Sequence, residues 1–270
     1  MLNWQIPMRV DAAVQFCLRS RFSYPWMPDA PAHMQRDFTP EDLWRILARN
    51  KYGGAIACAW LPGVEETSWL LELAASQPWI LGVIGDGLAT EGQWEQWQRG
   101  GKLCGVGLRA ADCTAPRLRE LERRNLTLDL DISDDWPQLK RIVDIAPGLR
   151  IGLAHMGRPK FGDDFDTWAR EMATAATIPG LVVKISGLIN DAGVGGWKAD
   201  TYRPYIQHLL NVFGAERLLY GSDWPACMRT GTWKESLAAF TQALGAQTME
   251  TRSLLLGENA IRHYRITLTD

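Results

Sequence analysis

The stretch LVVKIS (residues 181–186) is an apolar run interrupted by a single lysine, and it is one of eight such runs in this chain. Short continuous runs rich in β-branched side chains are typical of strands buried on both faces of a parallel sheet. The eight runs span residues 8–12, 54–59, 80–85, 103–108, 126–131, 150–155, 181–186 and 217–222. Segments with helical periodicity lie between them.

The alternation of these segments decides the fold class. One helical segment, PEDLWRILARN (residues 40–50), follows a candidate N-cap at Thr39. Eight strand–helix units favour a closed α/β barrel, the (β/α)8 TIM barrel, over the alternative of a doubly wound open sheet. Since no linker, low-complexity segment or charge block marks a second domain, residues 1–270 are predicted to form a single domain.

Composition and charge exclude several classes of protein. The 270-residue chain carries a formal net charge of −2 and has a pI near 6.1, so it offers no electrostatic reason to bind nucleic acid or an anionic membrane. Its apolar runs fall well short of the roughly 18 residues that a membrane-spanning helix needs. Five dispersed cysteines without a CxxC pair, together with no recognisable secretory signal, predict a cytoplasmic protein with reduced thiols.

Polar side chains follow several predicted strands, and barrel enzymes build their active sites at these carboxyl ends. In chain order the candidates are Gln15, Arg109, Asp129, Asp131, His155, Lys184, Ser186 and Asp223. Asp129 and Asp131 share one face of their strand and would form a paired-carboxylate site if that face points inward. A single inward aspartate held by hydrogen bonds is the favoured alternative, because aspartates under the helices would be costly without partners.

His155, in LAHMGRP (residues 153–159), is the only histidine at a predicted strand end. It could be a metal ligand, a general acid or base, or a hydrogen-bonded core residue. Gly157 and Pro159 predict a tight turn that keeps its side chain at the barrel mouth. The other histidines are predicted to be solvated or to pack, and they are His33, His208 and His263.

Asp223, in YGSDWP (residues 220–225), follows the last predicted strand. A partly desolvated aspartate at this position could accept a proton in catalysis. It could equally cap a helix or a loop by accepting hydrogen bonds from backbone amides. A serine nucleophile is unsupported because the chain has no GxSxG motif, and a P-loop is also absent from the sequence.

Thirteen tryptophans are an unusual feature of the composition. Those in helical segments are predicted to pack the helices against the barrel, and they include Trp44, Trp69, Trp94, Trp97 and Trp168. Trp26 and Trp224 instead lie in loops beside the candidate site, so both are predicted to contact a substrate.

These motifs resemble those of the amidohydrolase-related lactonases, a family that includes L-fuconolactonase and 2-pyrone-4,6-dicarboxylate lactonase. VDAAVQF (residues 10–16) is similar to the family's IDAHQHF, and VVKISGL (182–188) to its CKLSGL. ERLLYGSDWPAC (216–227) is similar to ERLMFGSDWPVC. The similarity extends over almost the whole length of the chain.

This resemblance implies a TIM-barrel hydrolase of the amidohydrolase superfamily that opens a sugar lactone or a similar cyclic ester with water. Asp223 would activate the water or shuttle its proton, and His155 would polarise the ester or support the site. Some family members bind one divalent metal through the HxH pair, whereas others act without a metal.

The chain departs from the family where the HxH pair would stand, because it has Ala13 and Gln15 there. Alanine has no donor atom, and an amide oxygen is a poorer zinc ligand than imidazole. His155 and Asp223 would leave two protein ligands, below the three that a catalytic zinc site uses. A divalent metal such as zinc is therefore disfavoured, and no cofactor is predicted.

The second and fourth strands also depart from the family. Its strand-two glutamine falls near Ala59 and its strand-four RH pair at Gly107-Leu108, so Arg109 is offset by about one or two positions. An offset by one residue would turn a side chain away from the barrel mouth. Several substrate contacts of the family are therefore altered, and not the HxH pair alone.

Two classes of function remain open from the sequence. The first is a metal-independent hydrolase of a lactone, with Asp223 and His155 as catalytic groups and Gln15, Arg109, Lys184, Trp26 and Trp224 as substrate contacts. Lys184 could instead point into the outer layer. The second is a catalytically silent barrel that binds a small sugar-acid-like ligand. We adopt the hydrolase, with a small lactone or organic acid as its partner, and a decarboxylase is a weaker third option. The sequence does not indicate the substrate or the oligomeric state.

Overall fold

The structure is a computed structural model that describes residues 7–133, 135–163 and 165–268. Both ends of the predicted 1–270 domain therefore lie outside the described residues. Eight parallel strands form one sheet in the order of the sequence, and a helix follows each strand. The eight predicted strands and the TIM-barrel fold are confirmed.

The strands lie close to the predicted apolar runs. Their bounds are β1 Val10–Val14, β2 Gly54–Cys58, β3 Ile80–Asp86, β4 Leu103–Arg109, β5 Thr127–Asp131, β6 Ile151–Leu153, β7 Val182–Ile185 and β8 Leu218–Tyr220. The helices are α1 Pro40–Arg49, α2 Val64–Ser76, α3 Glu91–Gln98, α4 Ala115–Arg123, α5 Pro137–Ile145, α6 Phe165–Ala176, α7 Ala199–Phe213, α8 Trp233–Leu244, α9 Met249–Ser253 and α10 Asn259–His263. A π-helical turn, Leu254–Glu258, joins the last two helices.

The ring closes where β1 meets the segment that follows β8. The amide of Asp223 donates to the carbonyl of Ala13 at 3.0 Å, and the amide of Gln15 donates to the carbonyl of Trp224 at 2.7 Å. Gly221 permits this approach, because a Cβ atom at that position would lie 2.5 Å from the Cβ of Ala13. Closure therefore places Ala13 and Gln15 directly beside Asp223.

A small apolar cluster fills the lower part of the barrel interior. Its members come from five strands and the C-terminal segment, and they are Val10, Ala12, Ile56, Ile84, Val182, Leu219, Ala260 and Tyr264. His263 is also buried there, and its Nε2 has no hydrogen-bond partner in the described part of the chain. Burial lowers the pKa of His263 to about 4, so this imidazole is neutral at pH 7.

Most of the helical tryptophans pack as predicted. Trp69, Trp94, Trp97 and Trp168 are buried, whereas Trp44 is 38% exposed and stacks one face on Trp79. The predicted N-cap at Thr39 is confirmed, since its side chain accepts from the amide of Asp42 and its own amide donates to the Asp42 carboxylate. Among the described residues, none of the helices combines the length and apolar character that crossing a bilayer requires.

Candidate active site

A cleft of about 490 Å³ opens at the carboxyl ends of the strands. It brings together Gln15, Arg109, His155, Lys184 and Asp223, which are five of the seven residues predicted for the site. A second cavity of about 570 Å³ adjoins it, and His155 lines both. His155 therefore lies where the two cavities meet.

The turn that carries His155 is left-handed. His155, Met156, Gly157 and Arg158 all have φ between 49° and 68°, a conformation that costs a non-glycine residue about 1–2 kcal/mol. Surrounding contacts hold it, since the Nε and Nη2 atoms of Arg158 donate to the carboxylate of Asp131 at 2.8–3.0 Å. The tight turn predicted after His155 is present, and its geometry brings the imidazole back over the barrel mouth.

His155 contacts the segments that follow β7 and β8 through one ring nitrogen. Its Nδ1 lies 2.9 Å from Ser186 Oγ and 3.9 Å from Asp223 Oδ2. Burial lowers the pKa of His155, although the charge of Asp223 acts in the opposite direction, so the neutral imidazole is favoured near pH 7. Its Nε2 makes no hydrogen bond with the described residues and is available to a substrate.

Asp223 is held by its backbone and by one side chain. It has a left-handed φ of 59°, and its Oδ2 accepts a hydrogen bond from Asn190 Nδ2 at 2.7 Å. Among the described residues, no backbone amide donates to this carboxylate, so the alternative of a capping aspartate does not apply. Gly187 passes behind the pair, where a Cβ would lie 3.2 Å from His155 Nδ1 and 3.6 Å from Asp223 Oδ2.

A second, deeply buried carboxylate supports this arrangement from behind. Asp11 on β1 accepts hydrogen bonds from the amide of Ser222 at 2.8 Å and from Trp233 Nε1 at 2.7 Å. Burial raises the pKa of Asp11 in spite of these hydrogen bonds. Asp11 joins β1, the end of β8 and α8, and so fixes the residue that precedes Asp223.

Lys184 points into the barrel and not into the outer layer. It forms a buried ion pair with Asp129, whose other oxygen accepts from the hydroxyl of Tyr264 at 2.7 Å. Burial alone would lower the pKa of Lys184. The negative charge of Asp129 acts in the opposite direction, and the net effect of the surroundings raises this pKa well above its usual value. Asp129 and Asp131 both line the cleft, yet each has its own cationic partner, so they do not form a catalytic dyad.

The three remaining predicted contacts differ in position. Arg109 lies at the rim, where its side chain is 73% exposed and pairs with Asp112 at 3.0 Å. Trp26 lines a small side cavity together with Gln15 and Trp60. Trp224 is fully buried, with edge-to-face contacts to the rings of Phe16 and Phe38. This corrects the expectation that Trp224 contacts a substrate, because its indole is covered on all sides.

Sequence reasoning missed three residues that shape the site. Arg158 lies within the quoted LAHMGRP motif, and its place beside a turn was a signal for a role in holding that turn. Asn190 follows β7 without any pattern that marks it, and its buried Oδ1 has no partner among the described residues. Trp60 lines the wall opposite His155.

The donor atoms at the cleft do not match the ligand set of a catalytic zinc site. Within the described residues, no group of three or more His, Cys, Asp or Glu side chains is positioned to hold an ion. Ala13 presents only a methyl group to the cleft, Ser186 engages His155 Nδ1, and Asn190 engages Asp223 Oδ2. A catalytic zinc site needs three protein ligands with open donor atoms.

Comparison with known proteins places this geometry in a family. The chain is similar to L-fucono-1,5-lactonases of Burkholderia multivorans and Burkholderia ambifaria, with 26% and 28% identity over 96% of this chain and 96% of each relative. The solved structure of a Burkholderia multivorans amidohydrolase with bound zinc is also similar, with 26% identity and a TM-score of 0.82 over 96% of this chain and 100% of that one.

The family model described as Amidohydrolase matches residues 91–266, which include β4 to β8 and carry both His155 and Asp223. This match spans more than half of the 270 residues. The chain therefore belongs to the amidohydrolase family.

Proposed function

We propose that this protein is a lactonase-type hydrolase that opens a small cyclic ester with water and needs no catalytic metal. The observation that carries the proposal is the pair of His155 and Asp223, with Nδ1 and Oδ2 3.9 Å apart at an open cleft. The similarity to two L-fucono-1,5-lactonases along 96% of each chain supports the choice of a lactone.

Asp223 acts as the general base in the proposed reaction. Its Oδ1 accepts no hydrogen bond from the described residues, so this oxygen is free to take a proton from water as the water oxygen bonds to the carbonyl carbon. The ring C–O bond then breaks, and the leaving alkoxide takes the proton from Asp223. The product is a hydroxy acid, and the carboxylate is regenerated.

His155 stabilises the charge that develops on the carbonyl oxygen. If Ser186 donates its hydroxyl proton to Nδ1, the neutral imidazole carries its own proton on Nε2 and can donate it to this oxygen. The left-handed turn and Ser186 fix the ring before substrate arrives, which is the preorganisation that electrostatic stabilisation requires. Proton transfer by a positioned base contributes roughly 10²–10⁴-fold to such reactions.

The metal-independent part of the proposal rests on the donor set. Ala13 and Gln15 supply no strong ligand beside Asp223, and Asn190 already occupies the Asp223 oxygen that faces His155. Lactones are activated esters, and a general base with hydrogen-bond donors is sufficient to open them without a Lewis acid.

The test is Asp223→Asn assayed on a panel of lactones with and without chelator. Asparagine keeps the shape of the side chain and still accepts from Asn190, but it cannot take a proton. We expect kcat/KM to fall by about 10²–10⁴-fold, and wild-type turnover to persist after chelation with bound zinc well under one equivalent. One equivalent of zinc together with loss of activity on chelation would contradict the metal-independent mechanism.

A catalytically silent binding protein is the second candidate. It is favoured by the ends of β2 and β4, where Ala59 and Gly107 offer no polar side chain to a substrate. If no lactone is hydrolysed while sugar-acid ligands raise the melting temperature of the wild type, this second function replaces the first.

A further inference from the structure

The wall of the cleft opposite His155 and Asp223 is apolar and partly exposed. Trp60, Leu61 and Pro62 follow β2, and Leu88 follows β3; we call these four residues the apolar lip. All four line the cleft, and Trp60 and Leu88 remain 45% and 44% exposed. Large apolar side chains left open beside a cleft typically mark a binding surface.

Two buried carboxylates hold the backbone of the apolar lip. Glu66 Oε2 accepts from the amides of Trp60 and Leu61 at 2.7 and 2.6 Å. Asp86 accepts from the amide of Gly63 at 2.8 Å through Oδ2 and from the amide of Leu88 at 2.9 Å through Oδ1. The lip is therefore fixed before any ligand binds, so binding carries no free-energy cost for ordering it.

The strand ends below the lip offer few polar groups. They carry Cys58, Ala59, Ile84, Gly107 and Leu108. The carboxylates of Asp86 and Glu66 already accept the lip amides, and the rim guanidinium of Arg109 pairs with Asp112. A substituent covered with hydroxyl groups would lose water here without gaining equivalent partners, which is unfavourable.

We infer that the apolar lip binds a hydrophobic substituent of the substrate, an alkyl chain or an aryl ring attached to the lactone. Preferred substrates are then apolar-substituted lactones and not polyhydroxylated sugar lactones. The inference rests on the proposed function for the reaction at the ring, and it adds the chemical class of the substituent. The reacting ring lies at His155 and Asp223, while its substituent packs along Trp60 and Leu88.

Chain length provides a quantitative signature for this inference. Complete burial of a methylene group strengthens binding by about fourfold. Since the lip is open on one side, each added methylene should strengthen binding by roughly two- to fourfold until the chain passes Leu88. A polar subsite would give no such progression.

The experiment measures binding of δ-lactams with propyl, pentyl and heptyl substituents by calorimetry. Lactams resemble the ring but are amides, so the measurement does not depend on turnover. Wild type, Trp60→Ala and Leu88→Ala are compared with Trp44→Ala, which removes a 38% exposed tryptophan that stacks on Trp79 outside the cleft. We expect the progression with chain length in the wild type and in Trp44→Ala, and a flattened progression in both lip variants.

Several results would overturn the inference. They are equal affinity across the lactam series, no binding at all, an unchanged progression in both lip variants, or tighter binding of a polyhydroxylated lactam. Hydrolysis of sugar lactones in preference to alkyl lactones would also overturn it while leaving the proposed reaction intact. A further outcome is that the lactams bind through the lip while no lactone is hydrolysed. That result would contradict the proposed function but support the inference that the lip binds an apolar substituent.

Discussion

The two halves of the cleft mouth use similar residues for different purposes. On the side of β6 to β8, His155 and Asp223 face each other, and each keeps an atom free for a substrate. On the side of β2 to β4, Asp86 and Glu66 are also buried carboxylates, but backbone amides of the loops occupy them. We propose that the first half, the polar half, serves proton transfer and that the second, the apolar half, serves apolar contact.

This contrast shows that position at a barrel strand end does not by itself leave a carboxylate open to a substrate. Asp129 and Asp131 line the same cleft as Asp223, yet Lys184 and Arg158 neutralise them. Of these three aspartates, Asp223 alone combines burial, a neutral hydrogen-bond donor in Asn190 and an oxygen left open to the cleft. The partner of each carboxylate therefore decides its function, while the barrel supplies the position.

Glu66→Gln tests the apolar half and has the largest expected effect. Burial raises the pKa of Glu66 to about 7, against an ordinary value of 4.5. Between these values the folded state binds more protons than the unfolded state, so the free energy of unfolding falls as pH rises from about 4.5 to 7. Glutamine does not titrate, and its amide oxygen can accept from both lip amides. We expect the variant to be more stable than wild type by up to about 3 kcal/mol at pH 8, shrinking below about 1 kcal/mol at pH 5.

Urea unfolding at the two pH values measures this difference. Glu65→Gln is the matched control, because Glu65 is the exposed neighbour on the same helical turn. A Glu66→Gln variant that is less stable than wild type at pH 8 would mean that the lip amides require a charged acceptor.

Asn190→Ala tests the polar half. The substitution removes the donor that fixes Asp223 Oδ2, and hydrogen bonds to charged groups contribute about 1.5–3 kcal/mol. We expect kcat to fall by roughly 10- to 100-fold with a smaller change in KM, because Asn190 orients the base and does not hold the lactone. Steady-state kinetics on an alkyl lactone measures the split between kcat and KM.

Asn50→Ala serves as the control for this variant. Asn50 also donates its amide side chain, to the carbonyl of Ile46 at the end of α1, and it lies outside the cleft. A change confined to KM in Asn190→Ala would show that this residue binds substrate and does not position Asp223.

The barrel itself was predictable from the sequence, because each strand has a local pattern of apolar residues. Runs such as LVVKIS are buried on both faces, and each of the eight predicted runs overlaps an observed strand. The positions of His155 and Asp223 at the barrel mouth were also predictable, because barrel sites lie at the carboxyl ends of strands and only the strand boundaries are needed to find them. These features depend on neighbours within a few residues of the chain.

The remaining features of the site depend on distant contacts, which the sequence does not encode locally. Trp60 and Trp224 both follow strands, yet Phe16 and Phe38 cover Trp224 whereas Trp60 remains 45% exposed. Lys184 meets Asp129, 55 residues away, and Asn190 meets Asp223, 33 residues away. Exposure and charge pairing of this kind follow only from the closed barrel.

The pH dependence of kcat/KM tests whether the polar half is as desolvated as its geometry indicates, and it has the smallest expected effect. A protonated His155 would form an ion pair with Asp223 and weaken the base, so the neutral form is the active one. A histidine with the ordinary pKa of 6.5 would be about three-quarters protonated at pH 6, which would reduce the rate about fourfold. Since burial lowers the pKa of His155, we expect the fall between pH 8 and pH 6 to be smaller than fourfold, with its midpoint below pH 6.5.

An alkyl lactone is the suitable substrate for this profile, because it has no ionisable group of its own. Circular dichroism at both pH values controls for unfolding. A fourfold fall with a midpoint near pH 6.5 would place His155 in contact with bulk water. The polar half would then be as open to solvent as the apolar lip. The stabilisation that His155 gives to the charge on the carbonyl oxygen would be weaker than proposed.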